Sequence, residues 1–141
     1  MASASSRPEH LAKCLALRLL IMLAWLAAIV WLSLDSSPPA APGWLAWDKL
    51  QHALAYGVLA WLVAGVLVCW RSNENRHAWW QAWILTFCFG LSLEIMQHLM
   101  QRGRTAEWQD LAADSFGALV ACVVFRRVQT LTSDHSLRKD E

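Results

Sequence analysis

Charge is scarce in this chain. Asp, Glu, Lys and Arg make up 16% of 141 residues and nearly cancel, leaving a formal net charge of +1. With that balance, no basic stripe and no nucleic-acid motif, a nucleic-acid partner is excluded. Four cysteines, Cys14, Cys69, Cys88 and Cys122, stand singly. They form no C-x-x-C pair, so neither a disulfide framework nor a zinc site is indicated. Each lies in or beside an apolar run, where a free thiol behaves as a small hydrophobe. No H-E-x-x-H or G-x-S-x-G pattern is present, so no motif carries a named hydrolytic chemistry, and none asks for a cofactor or a resident metal.

What the chain has instead is apolar surface. It is 57% hydrophobic, its mean hydropathy is +0.31, and it holds ten Trp. Trp favours the membrane–water interface, where its ring is half apolar and its N–H stays wet. Crossing about 30 Å of hydrocarbon takes roughly 20 helical residues. Four stretches meet that length, at about 15–34, 48–70, 78–100 and 108–125. They must be helices, because open strands would leave backbone groups unpaired in lipid. The fold class predicted is therefore all-α: a four-helix transmembrane bundle with short connecting loops. Residues 1–14 form an N-terminal segment, 15–128 the membrane domain and 129–141 a tail. The breaker-rich stretch 35–43, which contains Pro38, Pro39, Pro42 and Gly43, ends the first span. That span has a long core holding Trp25 and Trp31, which favours a retained helix over a cleaved leader.

Basic residues set the orientation. Arg7, Lys13 and Arg18 precede or begin the first span, Arg71 and Arg76 lie between the second and third, and Arg126, Arg127, Arg138 and Lys139 follow the fourth. All fall on one side of a four-span chain, which predicts that both termini are cytoplasmic. Only Lys49, Arg102 and Arg104 fall on the other side.

Polar residues within the apolar runs gather on that outer side. Asp48, His52 and Tyr56 are four apart, so they share one helical stripe, with Lys49 beside the first. Glu94, Gln97 and Gln101 make a second stripe. Glu94 lies about two turns below the boundary, where a carboxylate needs a proton or a cationic partner; Lys49, His52, Arg102 and Arg104 are the cations available. His98 faces elsewhere. Gly103 permits a tight turn between the third and fourth spans, which makes them antiparallel neighbours. Arg102 and Arg104 run against the positive-inside trend and suit bidentate pairing with carboxylate or phosphate. Thr105 to Glu107 offers a cap for the next helix. Asp110 and Asp114 follow at one-turn spacing, and Gly117, Ala118 and Ala121 continue a side small enough for another helix to approach closely. The bland readings are an N-cap for Asp48, a helix–helix clamp for Glu94 and plain packing for the alanines.

Taken together, Asp48-Lys-Leu-Gln-His-Ala-Leu-Ala-Tyr56, Glu94-Ile-Met-Gln97, and Gly103-Arg-Thr followed by Asp110, Asp114 and Gly117 resemble the VanZ-like family. Its pattern is roughly D-K-x-x-H-x-x-x-Y, E-x-x-Q, then R-[ST] and D-x-x-x-N-x-x-G. The resemblance covers about residues 45–125, with three motifs in order at fitting spacings. One departure is that Asp114 stands where the family usually has Asn. The resemblance implies a small multi-pass protein of the bacterial cytoplasmic membrane, in a family whose namesake is associated with teicoplanin resistance and has no agreed reaction.

Two functions follow as expectations. In the first, the outer pocket binds an anionic envelope lipid or glycan precursor. Arg102 and Arg104 hold its phosphate with help from Lys49, while Asp48, His52, Tyr56, Glu94, Gln97, Asp110 and Asp114 shape the rest. In the second, a membrane-embedded enzyme acts on a lipid-linked phosphate or ester, with His52 or Glu94 as general base. A metal-assisted variant would recruit Asp48, His52, Glu94, Asp110 and Asp114. Transport ranks lower, since four short spans leave little room for a gated path. The topology is open to a direct check. A reporter enzyme active only outside the cytoplasm should work when fused at Gly103 and be silent at Glu141, and activity at Glu141 would reverse the orientation.

Overall fold

A computed structural model of the protein describes residues 6–35, 48–70, 77–100 and 107–137. Its helices are α1 (Ser6–Leu34), α2 (Asp48–Trp70), α3 (Ala78–Met100) and α4 (Trp108–Leu137), and no strand occurs among the described residues. The fold is all-helical, as the sequence implies. The bounds of α2 and α3 match the expected spans. The outer helices run longer because helix formation does not stop at a hydrocarbon boundary. Pro8 falls in the first turn of α1, where its missing N–H costs little, and nothing from Arg126 to Leu137 breaks α4.

Contacts between helices give the topology. Arg18 and Trp25 of α1 meet Gly65 and Ala55 of α2, so those helices are antiparallel. Gln97 of α3 meets Ser33 near the end of α1, so α1 and α3 run parallel. Along α2 and α4, Lys49 meets Asp110, His52 meets Asp114 and Trp61 meets Phe125. The numbers rise together, so α2 and α4 are parallel too. The result is an up-down-up-down bundle.

Among the described residues, three helices are long and apolar enough to cross a membrane: α1 from Glu9, α2 and α3. The fourth expected span is not among them; its first half carries Asp110 and Asp114. Those two acids are buried, while Phe116, Val120, Val123 and Val124 of α4 are exposed. The same inversion holds across the bundle. Ser33, Thr86, Glu94 and Gln97 lie inside, and Leu20, Trp31, Leu85 and Leu99 lie outside. Apolar exteriors around polar interiors suit lipid as the solvent, and the chain is a membrane protein.

With lipid tails as apolar as Leu, helices associate through close packing rather than through exclusion of water. Small residues therefore carry the core. Ala60, Ala64, Ala82, Ala118 and Cys122 are fully buried in a cluster joining α2, α3 and α4. A second cluster joins α1, α2 and α3 around Ile29, Tyr56, Leu59 and Leu93. The tightest crossing is between α2 and α4. A Cβ added to Gly117 would collide with the Ala53 backbone, and one on Gly57 would come within 3.2 Å of the Gly117 carbonyl oxygen. Backbone cannot yield as a side chain can. Gly117→Val should therefore lower the melting temperature, at a cost of about 1–3 kcal/mol or more. Val120→Leu on the lipid-facing side should leave it unchanged; equal losses in the two variants would remove the special role of this crossing.

Candidate functional site

The α2–α4 crossing sets two polar stripes face to face. On α2, Asp48, Lys49, His52 and Tyr56 occupy the first two and a half turns; on α4, Asp110 and Asp114 are one turn apart. Lys49 Nζ donates to Glu107 Oε2 at 2.8 Å and to Asp110 Oδ1, and lies 3.9 Å from Asp48 Oδ2. One turn further in, His52 Nδ1 lies 2.9 Å from Asp114 Oδ1. When Asp114 is ionised it can only accept, and the donor in this contact is then the Nδ1–H of the imidazole. That leaves Nε2 pointing at two other carboxylates, 3.9 Å from Asp110 Oδ2 and 4.0 Å from Asp48 Oδ1.

Below this layer the walls are aromatic and tightly fitted. The Tyr56 ring lies nearly parallel to the His52 ring, with centroids 6.4 Å apart, and tilts against Phe89 at 6.2 Å. Tyr56 and Asp114 are both buried. They crowd against Gly90 of α3, where a Cβ would stand 2.9 Å from Tyr56 Cε1 and 3.2 Å from Asp114 Oδ2. Two Trp hold the neighbouring backbone. Trp25 Nε1 donates to the Ala55 carbonyl at 2.9 Å, and Trp83 Nε1 donates to the Ser115 carbonyl at 3.2 Å. Each anchor is one residue from a site side chain, Tyr56 or Asp114, so α1 and α3 brace the two stripes from behind.

The second stripe, on α3, divides its duties. Glu94 is buried, and its Oε2 accepts a hydrogen bond from the Glu107 backbone N–H at 3.1 Å. The sequence leads one to expect a proton or a cationic partner there. Among the described residues, the start of α4 supplies one of the N–H groups that lack an intrahelical partner. Gln97, also buried, donates to the Ser33 carbonyl at 2.8 Å and so ties α3 to α1. His98 is exposed.

The structure thus brings together Asp48, Lys49, His52, Tyr56, Glu94, Asp110 and Asp114, with Gln97 at the margin against α1. Arg102 and Arg104 lie outside the described residues. Four contributors were not singled out for this role from sequence: Glu107, read only as a cap; Gly90, whose lack of a side chain admits Tyr56 and Asp114; and Trp25 and Trp83, which turn inward. Only Glu107 leaves a trace in sequence, standing three residues before Asp110 and so on the same face at the start of α4.

Among the described residues the cluster is acid-rich. Asp48, Glu94, Glu107, Asp110 and Asp114 face one Lys and one His. One ligating atom each from Asp48, His52 and Asp110 lies within 4.8 Å of the others. A carboxylate on the far nitrogen of a metal-binding His is the usual arrangement for fixing its tautomer. The donor set therefore fits a divalent cation of the Mn2+ or Zn2+ type, although Lys49 already neutralises part of the same charge.

The arrangement defines a helical membrane protein with a histidine–carboxylate–lysine site at one end of its bundle. The chain belongs to the VanZ/LLP1 family, whose sequence model matches residues 11–129. No curated protein and no solved structure matches the chain.

The Lys49–Asp110 pair is partly shielded, with side-chain exposures of 23% and 12%. Removing one member strands the other. Lys49→Met and Asp110→Asn should each lower the melting temperature, and the double variant should lose less than the sum of the two by about 1 kcal/mol or more. Strict additivity in that cycle would show that the contact carries no coupling.

Proposed function

We propose that the polar site binds the head of an anionic envelope lipid, and best of all a lipid-linked glycan phosphate, at the outer face of a bacterial cytoplasmic membrane. The observation that carries this reading is the donor and acceptor inventory at one end of the bundle. Ionised carboxylates only accept hydrogen bonds. The exposed acids of the cluster, Asp48 and Glu107, therefore suit a head rich in hydroxyl donors, which a sugar supplies and a bare phosphate does not. Phosphate needs cations, and the chain provides Lys49 together with Arg102 and Arg104. Those arginines stand in the sequence between Met100 and Glu107, whose helices both end at the site. The apolar exterior lets the tail of such a ligand remain in lipid while its head is held.

A second reading is favoured by one specific feature, the His52–Asp114 pair. An imidazole fixed by a carboxylate on Nδ1, with Nε2 turned toward the pocket, is the arrangement of a general base. In that role His52 would take a proton from water or a hydroxyl attacking a lipid-linked phosphate or ester. In a metal-assisted variant, Asp48, His52 and Asp110 would instead hold a divalent cation that activates the water itself, so His52, bound through Nε2, would then be a ligand and not the base.

Melting in the presence of lipid separates the two readings. Phosphatidylglycerol vesicles should raise the melting temperature of the wild-type protein more than phosphatidylcholine vesicles do. Arg104→Ala should abolish the difference, and native mass spectrometry should find an anionic lipid retained by the wild type. If neither lipid shifts the transition differently and none is retained, the binding reading fails. Release of a headgroup by the wild type, lost in His52→Ala, would place the enzyme ahead.

A further inference from the structure

The cysteines are isolated in the sequence, but two of them meet in space. Cys14 of α1 and Cys69 of α2 are 55 positions apart, yet their sulfur atoms are 3.9 Å from each other, and both are free thiols. The register that brings them together is held from one side. One turn along the same seam, Arg18 donates to the Gly65 carbonyl at 3.1 Å, and further on Trp25 donates to Ala55. Gly65 makes this possible, since a Cβ there would press on the Arg18 guanidinium at 2.7 Å. Cys14 is exposed and Cys69 half-buried. Lys13 precedes the first and the exposed Trp70 follows the second. The pair therefore sits at the end of the bundle opposite the polar site, at the depth where water and small solutes reach. Cys122, by contrast, is fully buried, and Cys88 is exposed on α3.

We propose that Cys14 and Cys69 form a reversible redox clip between α1 and α2, oxidised by a peroxide. One thiolate attacks hydrogen peroxide, breaking the O–O bond and giving a sulfenic acid and hydroxide, which takes up the thiol's proton as water. The second thiol then attacks that sulfur, the S–S bond forms, and a second water leaves. Overall, two thiols and one peroxide give one disulfide and two waters, with two electrons passing from sulfur to oxygen. A dithiol reverses the change by exchange. Closing the gap to the roughly 2.05 Å of a disulfide needs side-chain rotation and a small helix shift.

The clip has a structural consequence. An apolar cavity of about 490 Å³ opens between α1, α2 and α3, and its lining includes Leu15 and Trp70, the chain neighbours of the two cysteines. A disulfide here would fix the wall of that cavity at its mouth.

The test uses the full chain in membrane vesicles. After hydrogen peroxide treatment, remaining thiols are alkylated with N-ethylmaleimide and the peptides are mapped by mass spectrometry. The expected product is an intramolecular Cys14–Cys69 linkage, formed about tenfold faster than any cross-link through Cys88 because the partner is already in place. Its rate should be independent of protein density, and dithiothreitol should reverse it. Cys69→Ser should abolish it and Cys88→Ser should not. Full alkylation of both thiols after peroxide treatment, or cross-links only between separate chains, would overturn the proposal. The wild-type measurement decides the matter even if a variant fails to fold.

Discussion

The backbone-to-backbone crossing of α2 and α4 is the constraint on which the site depends. Gly117 lies against Ala53 so closely that no side chain fits between them. That contact fixes the distance and register of two parallel helices. Lys49 consequently reaches Asp110, and His52 reaches Asp114. A wider crossing would separate these pairs in a medium where an unpaired charge costs several kcal/mol. Packing and electrostatics are thus one device: the small residues give proximity, and the ion pairs make that proximity favourable in lipid.

Around this crossing the other helices act as braces. α3 contributes the Gly90 recess, the Glu94 carboxylate on the Glu107 N–H just before α4, and Trp83 on the Ser115 carbonyl. α1 contributes Trp25 and accepts Gln97 at Ser33. Bracing of this kind is what a binding or catalytic constellation needs, since side chains of a site must be held to within a fraction of an ångström. It also explains why polar residues inside so apolar a bundle serve two purposes, with Gln97 and Glu94 joining helices while His52 turns toward Asp48 and Asp110.

Much of this was legible in the sequence. Hydropathy gave the helices to within a few residues for α2 and α3, because breakers and charges flank them. The i, i+4 spacing of Asp48, His52 and Tyr56, and of Asp110 and Asp114, put each set on one face. What spacing could not give was pairing between helices. The partner of Glu94 is a backbone N–H, which leaves no mark in composition. Gly90 reads as an ordinary glycine until Tyr56 is seen against it, and nothing in sequence marks the backbone carbonyls that the indoles of Trp25 and Trp83 meet. Cys14 and Cys69 looked unrelated because only the antiparallel register of α1 and α2 joins them. The start of α1 and the end of α4 were missed for a different reason: a helix can outlast the bilayer, and hydropathy marks only the portion within it.

The parallel course of α2 and α4 has one more consequence. Both helices begin at the site, and each carries an acid in its first turn, Asp48 in α2 and Asp110 in α4. The aligned peptide dipoles of a helix place roughly half a positive charge at its N-terminus, and this favours a nearby anion by about 0.3–1 kcal/mol within the first turn. Two such ends side by side lessen the mutual repulsion of the carboxylates before any ligand arrives. Direction of travel, rather than side-chain chemistry alone, is part of what makes so crowded a set of acids tenable in a membrane.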